Sequence, residues 1–456
     1  MIVSATILFT TMLAMPVGIN DDDLESSLRE HFLARTSSQR TQIQKKILAD
    51  RELTPAKLAA AIRALQLWSA QPSGEQQTVL RLRRGESSER PVWIHVPQGY
   101  DPAKRWPLVI TLHGHGGQAV HMLRLTRQLL GNRAEEFIIA APQDIGPLGF
   151  TLPTHTVQRP RDLLNALRRV YHIDSDRVYL MGYSQGSHNT WLAAIMHADC
   201  FAGIVPLATH LQVVGDDLLY ASLLPDTRSL GILFCWGKLD TLDAEGKPHP
   251  QGGNAHNCRR MRTVIEGLKF EHFHGIELEG VGHMGVQPPA DLLSELLDQK
   301  RAHYPDRVRQ IFRLPDQSTA YWVSADAMSG EPLPDTQLNI PVAQGADPIV
   351  AQRKWIVDRL GLIEARCKEQ TIKIRSHRVP RVVLLFSDEL IDLDQPIRIF
   401  RGKRKCFQGR IERDMRVMLT EAARGWDFDR LPTARVVVPV GGKVKFGYPD
   451  ADKERD

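Results

Sequence analysis

Cysteine is scarce in this chain of 456 residues, which holds five: Cys200, Cys235, Cys258, Cys367 and Cys406. An odd number cannot pair completely within one chain, and no two of them form a C-x-x-C motif. A zinc ribbon and an obligatory disulfide framework are therefore not expected. A single disulfide is still compatible with an oxidising compartment.

The sequence has neither a large net charge nor a long run of residues of one charge. Lys and Arg number 58 against 53 Asp and Glu, so the net charge is +5. There is no long basic block and no known nucleic-acid reader motif, and we expect no nucleic-acid partner. Apolar residues make up 42% and charged residues 24%, which is typical of a soluble globular protein with its own hydrophobic core.

Long hydrophobic runs are absent except at the N-terminus. Residues 1–19 carry no charge and residues 2–15 are mostly apolar, a stretch shorter than the ~20 residues that span a bilayer. This pattern predicts a signal peptide over residues 1–20, although no Lys or Arg precedes its apolar region. We therefore expect a secreted or periplasmic protein without a stable membrane span. An apolar cytosolic N-terminus or a misplaced start codon is the alternative.

The rest of the chain divides into segments of different pattern. Residues 21–77 place apolar side chains at helical spacing. Over residues 78–305 short apolar runs alternate with helical stretches, which predicts an α/β domain with a mostly parallel eight-stranded sheet covered on both faces. Residues 306–446 contain short strand patterns and polar turns, which predicts a small all-β, sandwich-like domain. Residues 447–456 form a polar tail.

A glycine-flanked serine directly follows one of the predicted strands. Gly182-Tyr183-Ser184-Gln185-Gly186 stands between the apolar run Val178–Met181 and a helical stretch, the context that the G-x-S-x-G motif requires. So tight a turn has no room for side chains at the glycines and lifts the Ser184 hydroxyl clear of the sheet. The backbone N–H of Gln185 then lies at a helix N-terminus, facing a developing oxyanion. An ordinary glycine-rich turn is the alternative.

A second glycine-rich segment, His113-Gly114-His115-Gly116-Gly117, follows the apolar run Leu108–Leu112. Such a loop lets backbone amides approach a substrate, and we expect a second oxyanion donor from His115 or Gly116. Two histidines this close can also indicate a metal pair. No acidic or cysteine partner has suitable spacing, so we expect a tight loop and no metal.

A serine hydroxyl becomes a nucleophile only with a neutral imidazole in reach and a carboxylate that orients it. Asp240 follows the apolar run Ile232–Cys235, and His283 lies in a glycine-flanked loop just past another predicted strand. The chain order Ser184, Asp240, His283 matches one of the known orders of such triads.

Other acids and bases compete for two of these roles. Asp243 is the rival acid, but it lies further from the strand end than Asp240. His272 and His274 are rival bases, but they occupy alternate positions in or beside a strand, where packing or exposure to solvent is expected. We therefore predict Asp240 and His283.

These motifs resemble the α/β-hydrolase superfamily. Residues 78–305 most resemble dienelactone hydrolase-like esterases, feruloyl and polyhydroxybutyrate-depolymerase-like esterases and the prolyl oligopeptidase catalytic domain. The lead into the serine turn, Ile173-Asp174-Ser175-Asp176-Arg177-Val178-Tyr179, is typical of this branch, whereas Ser187-His188 stands where the branch often has a further glycine. The resemblance implies an α/β-hydrolase fold over about half of the chain and a Ser-His-Asp triad.

We therefore expect a serine hydrolase that cleaves small or polymer-bound carboxylic esters through an acyl-enzyme, without a cofactor. Residues 208–229 are too few for a large lipase-type lid, which favours an open cleft. A serine peptidase uses the same triad, although residues 21–77 are too few for the propeller of prolyl oligopeptidases. A non-catalytic protein that binds a glycan or a partner is the alternative of another class.

Overall fold

The structure of the chain is a computed structural model. It describes residues 21–80, 90–146, 154–212, 219–242, 247–248, 252–334, 340 and 342–448. The predicted signal peptide lies outside these residues. Two compact units meet in sequence at Leu65 and Gln66. Within the described ranges, no helix is long and apolar enough to cross a membrane.

The helical segment expected before the sheet consists of α1 (Asp21–Leu33), α2 (Ser37–Leu48) and α3 (Pro55–Ala64). A capping box at Thr36 begins α2, and Thr54 followed by proline begins α3. Each helix buries apolar side chains on one face, among them Leu28, Ile47 and Leu58. Packing of these faces stabilises helices that would be marginal in isolation.

The second unit contains a sheet of eight strands that alternate with helices. The strands are β1 (Gly74–Leu80), β2 (Arg90–Val96), β3 (Trp106–Leu112), β4 (Ile138–Pro142), β5 (Ile173–Tyr183), β6 (Gly203–Leu207), β7 (Gly231–Gly237) and β8 (Phe273–Leu278). The helices are α4 (Ala119–Leu130), α5 (Thr154–Leu167), α6 (Gln185–Met196), α7 (Tyr220–Leu223), α8 (Gly253–Gly267) and α9 (Ala290–Asp298).

The strand order is β1-β2-β4-β3-β5-β6-β7-β8. Strand β2 pairs antiparallel with β1 and β4, and the other neighbours pair parallel. Successive side chains of β3 enter separate hydrophobic clusters, Leu108 and Ile110 on one face and Val109 on the other. This burial on both faces explains the continuous apolar runs of the sequence, and the predicted mostly parallel eight-stranded sheet is confirmed.

The chain beyond the first sheet forms two further sheets and two helices. Their elements are β9 (Arg307–Phe312), β10 (Val323–Ala325), α10 (Pro348–Val357), β11 (Gly361–Lys368), β12 (Thr371–His377), β13 (Arg381–Phe386), β14 (Ile397–Arg401), β15 (Arg404–Gly409), α11 (Met415–Gly425), β16 (Ala434–Pro439) and β17 (Lys445–Phe446). One sheet has the order β10-β13-β16-β17 and the other β15-β14-β12-β11-β9.

Helices α10 and α11 lie where the sequence predicts only strands. Each begins at an aspartate cap, Asp347 for α10 and Asp414 for α11. The inner faces of the two small sheets share one hydrophobic cluster with the first sheet, and residues from Gln66 onwards form a single compact unit. The domain boundary at residues 305 and 306 stays a prediction.

Candidate active site

The turn between β5 and α6 holds Ser184 in a conformation that is rare for a residue with a side chain. Its φ is 53° and its ψ is −116°. A Cβ atom on Gly182 would lie 2.1 Å from the carbonyl oxygen of Gly186, and one on Gly186 would lie 2.1 Å from that of Leu112. Both glycines are therefore required by close backbone approach, as the motif predicts.

The Ser184 backbone is fixed from two sides. Its N–H donates to the carbonyl of Leu207 at the end of β6, at 2.9 Å, and its carbonyl accepts from the N–H of His188 at 3.1 Å. Helix α6 is buried from Gly186 to Met196. Hydrogen bonds and dense packing thus offset the strain and hold the serine in place.

The structure brings Ser184, His283 and Asp240 into one chain of hydrogen bonds. His283 Nε2 lies 2.9 Å from Ser184 Oγ, and His283 Nδ1 lies 2.8 Å from Asp240 Oδ2. The Asp240 side chain is 5% exposed and that of His283 is 37% exposed. The two loops that carry them are joined where the N–H of Leu239 donates to the carbonyl of Val281 at 2.8 Å. The imidazole thus lies between a buried carboxylate and a reachable hydroxyl.

Asp240 raises the pKa of His283 above its ordinary value of 6.5. The hydrogen bond from the imidazole to the carboxylate is the largest cause, burial of the ring opposes it, and the attraction between the two charges adds to it. An imidazole whose protonated form is stabilised in this way is a stronger base toward the serine proton.

Tyr183 supports the loop that carries His283, a role that could not be predicted from the sequence. Its hydroxyl donates to the carbonyl of His283 at 2.7 Å and accepts from the N–H of Val286 at 3.3 Å. Its ring meets the imidazole edge to face, with 6.3 Å between the centroids. In the sequence, Tyr183 is only the variable residue of the G-x-S-x-G motif. That position gives no information about contacts with a loop 100 residues away.

Asn254, near the start of α8, is a second contact that sequence reasoning missed. Its Nδ2 lies 3.5 Å from His283 Nδ1, and its Oδ1 accepts from the Thr209 hydroxyl at 3.3 Å. The next residue, Ala255, donates its N–H to the carbonyl of Asp240 at 2.9 Å. The start of α8 therefore holds the backbone of the predicted acid and lies close to the predicted base.

The glycine-rich loop after β3 lies against the serine. A Cβ atom on Gly114 would lie 3.3 Å from the Cβ of Ser184, which is tighter than an ordinary van der Waals contact, so a glycine favours this close approach. The ring of His113 links this loop to the end of β4. Its Nδ1 lies 2.7 Å from the carbonyl oxygen of Gly114, and its Nε2 lies 2.9 Å from that of Gln143. Gly114 is therefore held beside the Ser184 hydroxyl.

The predicted oxyanion residues His115 and Gln185 come together at this point. His115 Nδ1 lies 3.2 Å from Gln185 Oε1, and Gln185 Nε2 donates to the carbonyl of Gly146 at 3.1 Å. Gln185 is the first residue of α6, so its backbone N–H is not used within that helix. Where the structure is described, no hydrogen bond occupies the backbone N–H of His115 or Gly116.

The rival residues take other positions. His274 lies within β8, opposite Leu233 of β7, and His272 precedes that strand, where its carbonyl accepts from Ile232. Asp243 lies outside the described residues. Neither histidine therefore competes with His283 for Ser184 in the structure.

The motif that leads into the serine turn has a structural role. Asp174 accepts from Arg177 Nε at 2.7 Å and from the N–H of Asp176 at 3.1 Å, which closes a turn within β5. The Tyr179 hydroxyl donates to the carbonyl of Leu297 at 2.6 Å, at the end of α9. These contacts tie the strand that carries the serine to its neighbours.

Comparisons with known proteins match only parts of the chain. No protein-family model matches the chain. It is similar to the bifunctional acetylxylan esterase/xylanase XynS20E of Neocallimastix patriciarum, with 24% identity over 136 residues, which are 28% of this chain and 19% of that protein. The chain therefore spans about a fifth of the length of this curated relative.

Solved structures of esterases resemble about half of the chain. A thermostable esterase has 17% identity and a TM-score of 0.37, over 50% of this chain and 63% of its own. The acetyl xylan esterase from Aspergillus awamori has 15% identity and a TM-score of 0.35, over 49% of this chain and 99% of its own. The fold itself follows from the strand order and from the serine turn after β5. The eight-stranded sheet and its helices, within the second unit, have the α/β-hydrolase fold.

Proposed function

We propose that the protein is a serine hydrolase that cleaves carboxylic esters. The observation that carries this proposal is the chain of hydrogen bonds from Ser184 through His283 to Asp240, with 2.9 Å and 2.8 Å between its atoms. A strained serine, a half-buried imidazole and a buried carboxylate in this geometry are the parts that nucleophilic acyl transfer needs.

The proposed reaction has two steps. Ser184 Oγ attacks the ester carbonyl while His283 Nε2 takes its proton, and the imidazolium then gives that proton to the leaving alcohol. Water attacks the resulting acyl-enzyme by the same route and releases the acid. Asp240 keeps Nδ1 protonated, so that Nε2 is the free base, and it stabilises the imidazolium that forms in each step.

The carbonyl oxygen becomes negatively charged in both steps and needs hydrogen-bond donors. In this proposal the backbone N–H of Gln185 supplies one donor and that of His115 or Gly116 supplies the second. Gln185 adds the positive end of the α6 dipole, because it is the first residue of that helix. Donors fixed in advance by the backbone cost no reorganisation during the reaction.

Exposed apolar side chains lie beside the proposed triad. Met284, directly after the histidine, is 77% exposed, and Leu239 and Leu242, on either side of Asp240 in sequence, are 57% and 52% exposed. In this proposal these apolar side chains cover the acyl or alcohol part of an ester and remove it from water. The similarity to an acetylxylan esterase further supports an ester over a peptide substrate.

We also propose that the protein is exported, on the basis of the uncharged apolar segment over residues 1–20. The mature chain should begin after about residue 15 to 20. N-terminal sequencing of protein secreted by a native-like host tests this. An intact Met1 on protein from the cytoplasm would refute export and leave the proposed chemistry untouched.

The decisive experiment for the chemistry is labelling with a fluorophosphonate probe, followed by hydrolysis of a panel of acyl and aryl esters and matched amides. We expect labelling of the native protein, none of Ser184→Ala, and faster cleavage of esters than of amides. Absence of labelling in a folded protein would refute the proposal. Preferential cleavage of amides would instead indicate a peptidase.

A further inference from the structure

The five-stranded sheet of the second unit has one apolar face and one basic face. Residues of β11 and β12 alternate strictly: Ile363 and Ile372 are buried, whereas Arg366 and Lys373 point the other way and are exposed. The same alternation continues in β14, where Ile399 is buried and its neighbour Arg398 is exposed.

The strand register lines up cations from separate strands. Arg307 of β9 lies opposite Arg366 of β11, and Arg366 lies opposite Lys373 of β12. Lys373 pairs with Phe400 of β14, which pairs with Lys405 of β15. Four cations and one aromatic ring thus form a row across all five strands, which is about 19 Å long at the usual spacing of ~4.8 Å between strands. We name this the basic row.

Within the described ranges, the cations of the basic row form no ion pair with a carboxylate. In the part of the chain that the structure describes, no Asp or Glu oxygen lies within 4.0 Å of the charged groups of Arg307, Arg366 or Lys373. Like charges opposite each other on neighbouring strands are destabilising. By contrast, Arg309, one position along on the same face, pairs with Glu364 at 3.4 Å. The arrangement is therefore one that an external anion would stabilise.

Further cations surround the row on the same face. Lys368, Arg375 and Arg398 are exposed. At the β9 end, Arg307 and Arg366 also line a cavity of about 650 Å³, together with Arg228 and Lys300. The carboxylates of this cavity are Glu271 and Asp306, so its cations outnumber its carboxylates by four to two. The positive surface thus continues from a flat row into a concave end.

We propose that the basic row and this cavity bind an acidic polysaccharide, a linear polymer that carries carboxylates on its sugar units. The guanidinium groups of Arg307 and Arg366 can bind carboxylates through paired hydrogen bonds, and the ammonium groups of Lys373 and Lys405 act as point charges. Such a row of cations on a sheet matches an extended chain with repeated charges. A single-stranded nucleic acid needs several aromatic platforms, and the row offers only Phe400. The proposal rests on the sheet and its charges, and it stands apart from the proposed hydrolase activity.

The test is binding of polygalacturonate to the full-length protein, measured by isothermal titration calorimetry, with a neutral polysaccharide of similar length as the second ligand. The variant Arg366→Thr/Lys373→Thr removes two cations from the middle of the row and keeps residues that favour strands. Its matched control is Lys45→Thr/Lys46→Thr, which removes the same net charge from exposed positions of α2. Thermal melting and hydrolysis of a small soluble ester report whether each variant is folded.

We expect the native protein and the control variant to bind polygalacturonate alike and to ignore the neutral polymer. The row variant should bind roughly tenfold more weakly or worse, with its small-ester hydrolysis unchanged. Binding should also weaken as salt rises from roughly 10 mM to roughly 100 mM, because exposed charges are screened. Equal losses in the row and control variants would overturn the proposal. So would tighter binding, through the same two residues, of an oligodeoxythymidine or of anionic lipid vesicles.

Discussion

His283 Nε2 lies 2.9 Å from Ser184 Oγ, although 99 positions separate the two residues in sequence. The contact exists because parallel strands β5 and β8 end at the same edge of the sheet, and each loop begins where its strand ends. Removal of the hydroxyl should therefore abolish chemistry without disturbing the sheet.

We expect Ser184→Ala to lower kcat on the order of 10⁴- to 10⁶-fold and to leave the melting temperature at or above that of the native protein. The strained φ of 53° is retained by the turn and not by the hydroxyl. The measurements are steady-state hydrolysis of an activated ester and thermal unfolding. Near-native activity in this variant would end the hydrolase assignment.

The pH profile of the reaction should report the His283–Asp240 hydrogen bond. The proposed base works only when neutral, and Asp240 raises its pKa above 6.5. The decrease of kcat/KM toward low pH, its acid limb, should therefore be centred above pH 6.5 in the native protein. In Asp240→Asn the acid limb should move to lower pH, because the amide no longer favours the charged ring.

The control for this shift is Glu279→Gln. Glu279 is an exposed carboxylate in the same loop region that pairs with Lys238 at 2.9 Å and is not bonded to the imidazole. Its loss should leave the acid limb in place. An acid limb that moves equally in both variants would indicate a general charge effect, and one that moves in neither would contradict the proposed base.

Close packing at the serine turn predicts a large cost for one methyl group. A Cβ atom on Gly186 would meet the Leu112 carbonyl oxygen at 2.1 Å, so Gly186→Ala must displace β3 or the turn. We expect a loss of about 2–3 kcal/mol in the free energy of unfolding, together with reduced activity. Chemical denaturation measures it. Gly99→Ala, where no atom lies within 4 Å, should change stability by less than about 0.5 kcal/mol.

The exposed Met284 should influence the choice of substrate. Its side chain is 77% exposed and follows the proposed base directly. We expect Met284→Ser to lower kcat/KM for esters with large apolar acyl groups by roughly threefold to tenfold, and to leave acetyl esters nearly unchanged. The control is Val350→Ser, which removes another exposed apolar side chain, on α10. A uniform loss for all esters would argue against substrate contact.

Local patterns predicted the fold and singled out Ser184, Asp240 and His283, which the structure joins by hydrogen bonds, because each pattern depends on a short stretch of chain. The apolar runs follow from burial on both sheet faces, and the glycines around Ser184 follow from the tight turn. The roles of Tyr183 and Asn254 could not be predicted, since both act on a loop that reaches them only in the folded chain. The basic row could not be predicted for the same reason. Its cations lie apart in the sequence, on separate strands, and only the strand register brings them together.

The two candidate acids should separate by substitution. Asp240 is 5% exposed and lies 2.8 Å from His283 Nδ1, and Asp243, three positions on, lies outside the described residues. Asp240→Asn should lower kcat by on the order of 10⁴-fold, because the imidazole then takes the wrong tautomer and its charged form loses a counter-ion. Asp243→Asn should leave kcat within a few-fold of native. The measurement is kcat for both variants at matched thermal stability.

If Asp243→Asn were the impaired variant, the acid would be misassigned while Ser184 and His283 kept their roles. If neither were impaired, the hydrogen bond to Asp240 would be structural, and His283 would need another partner to hold its proton on Nδ1.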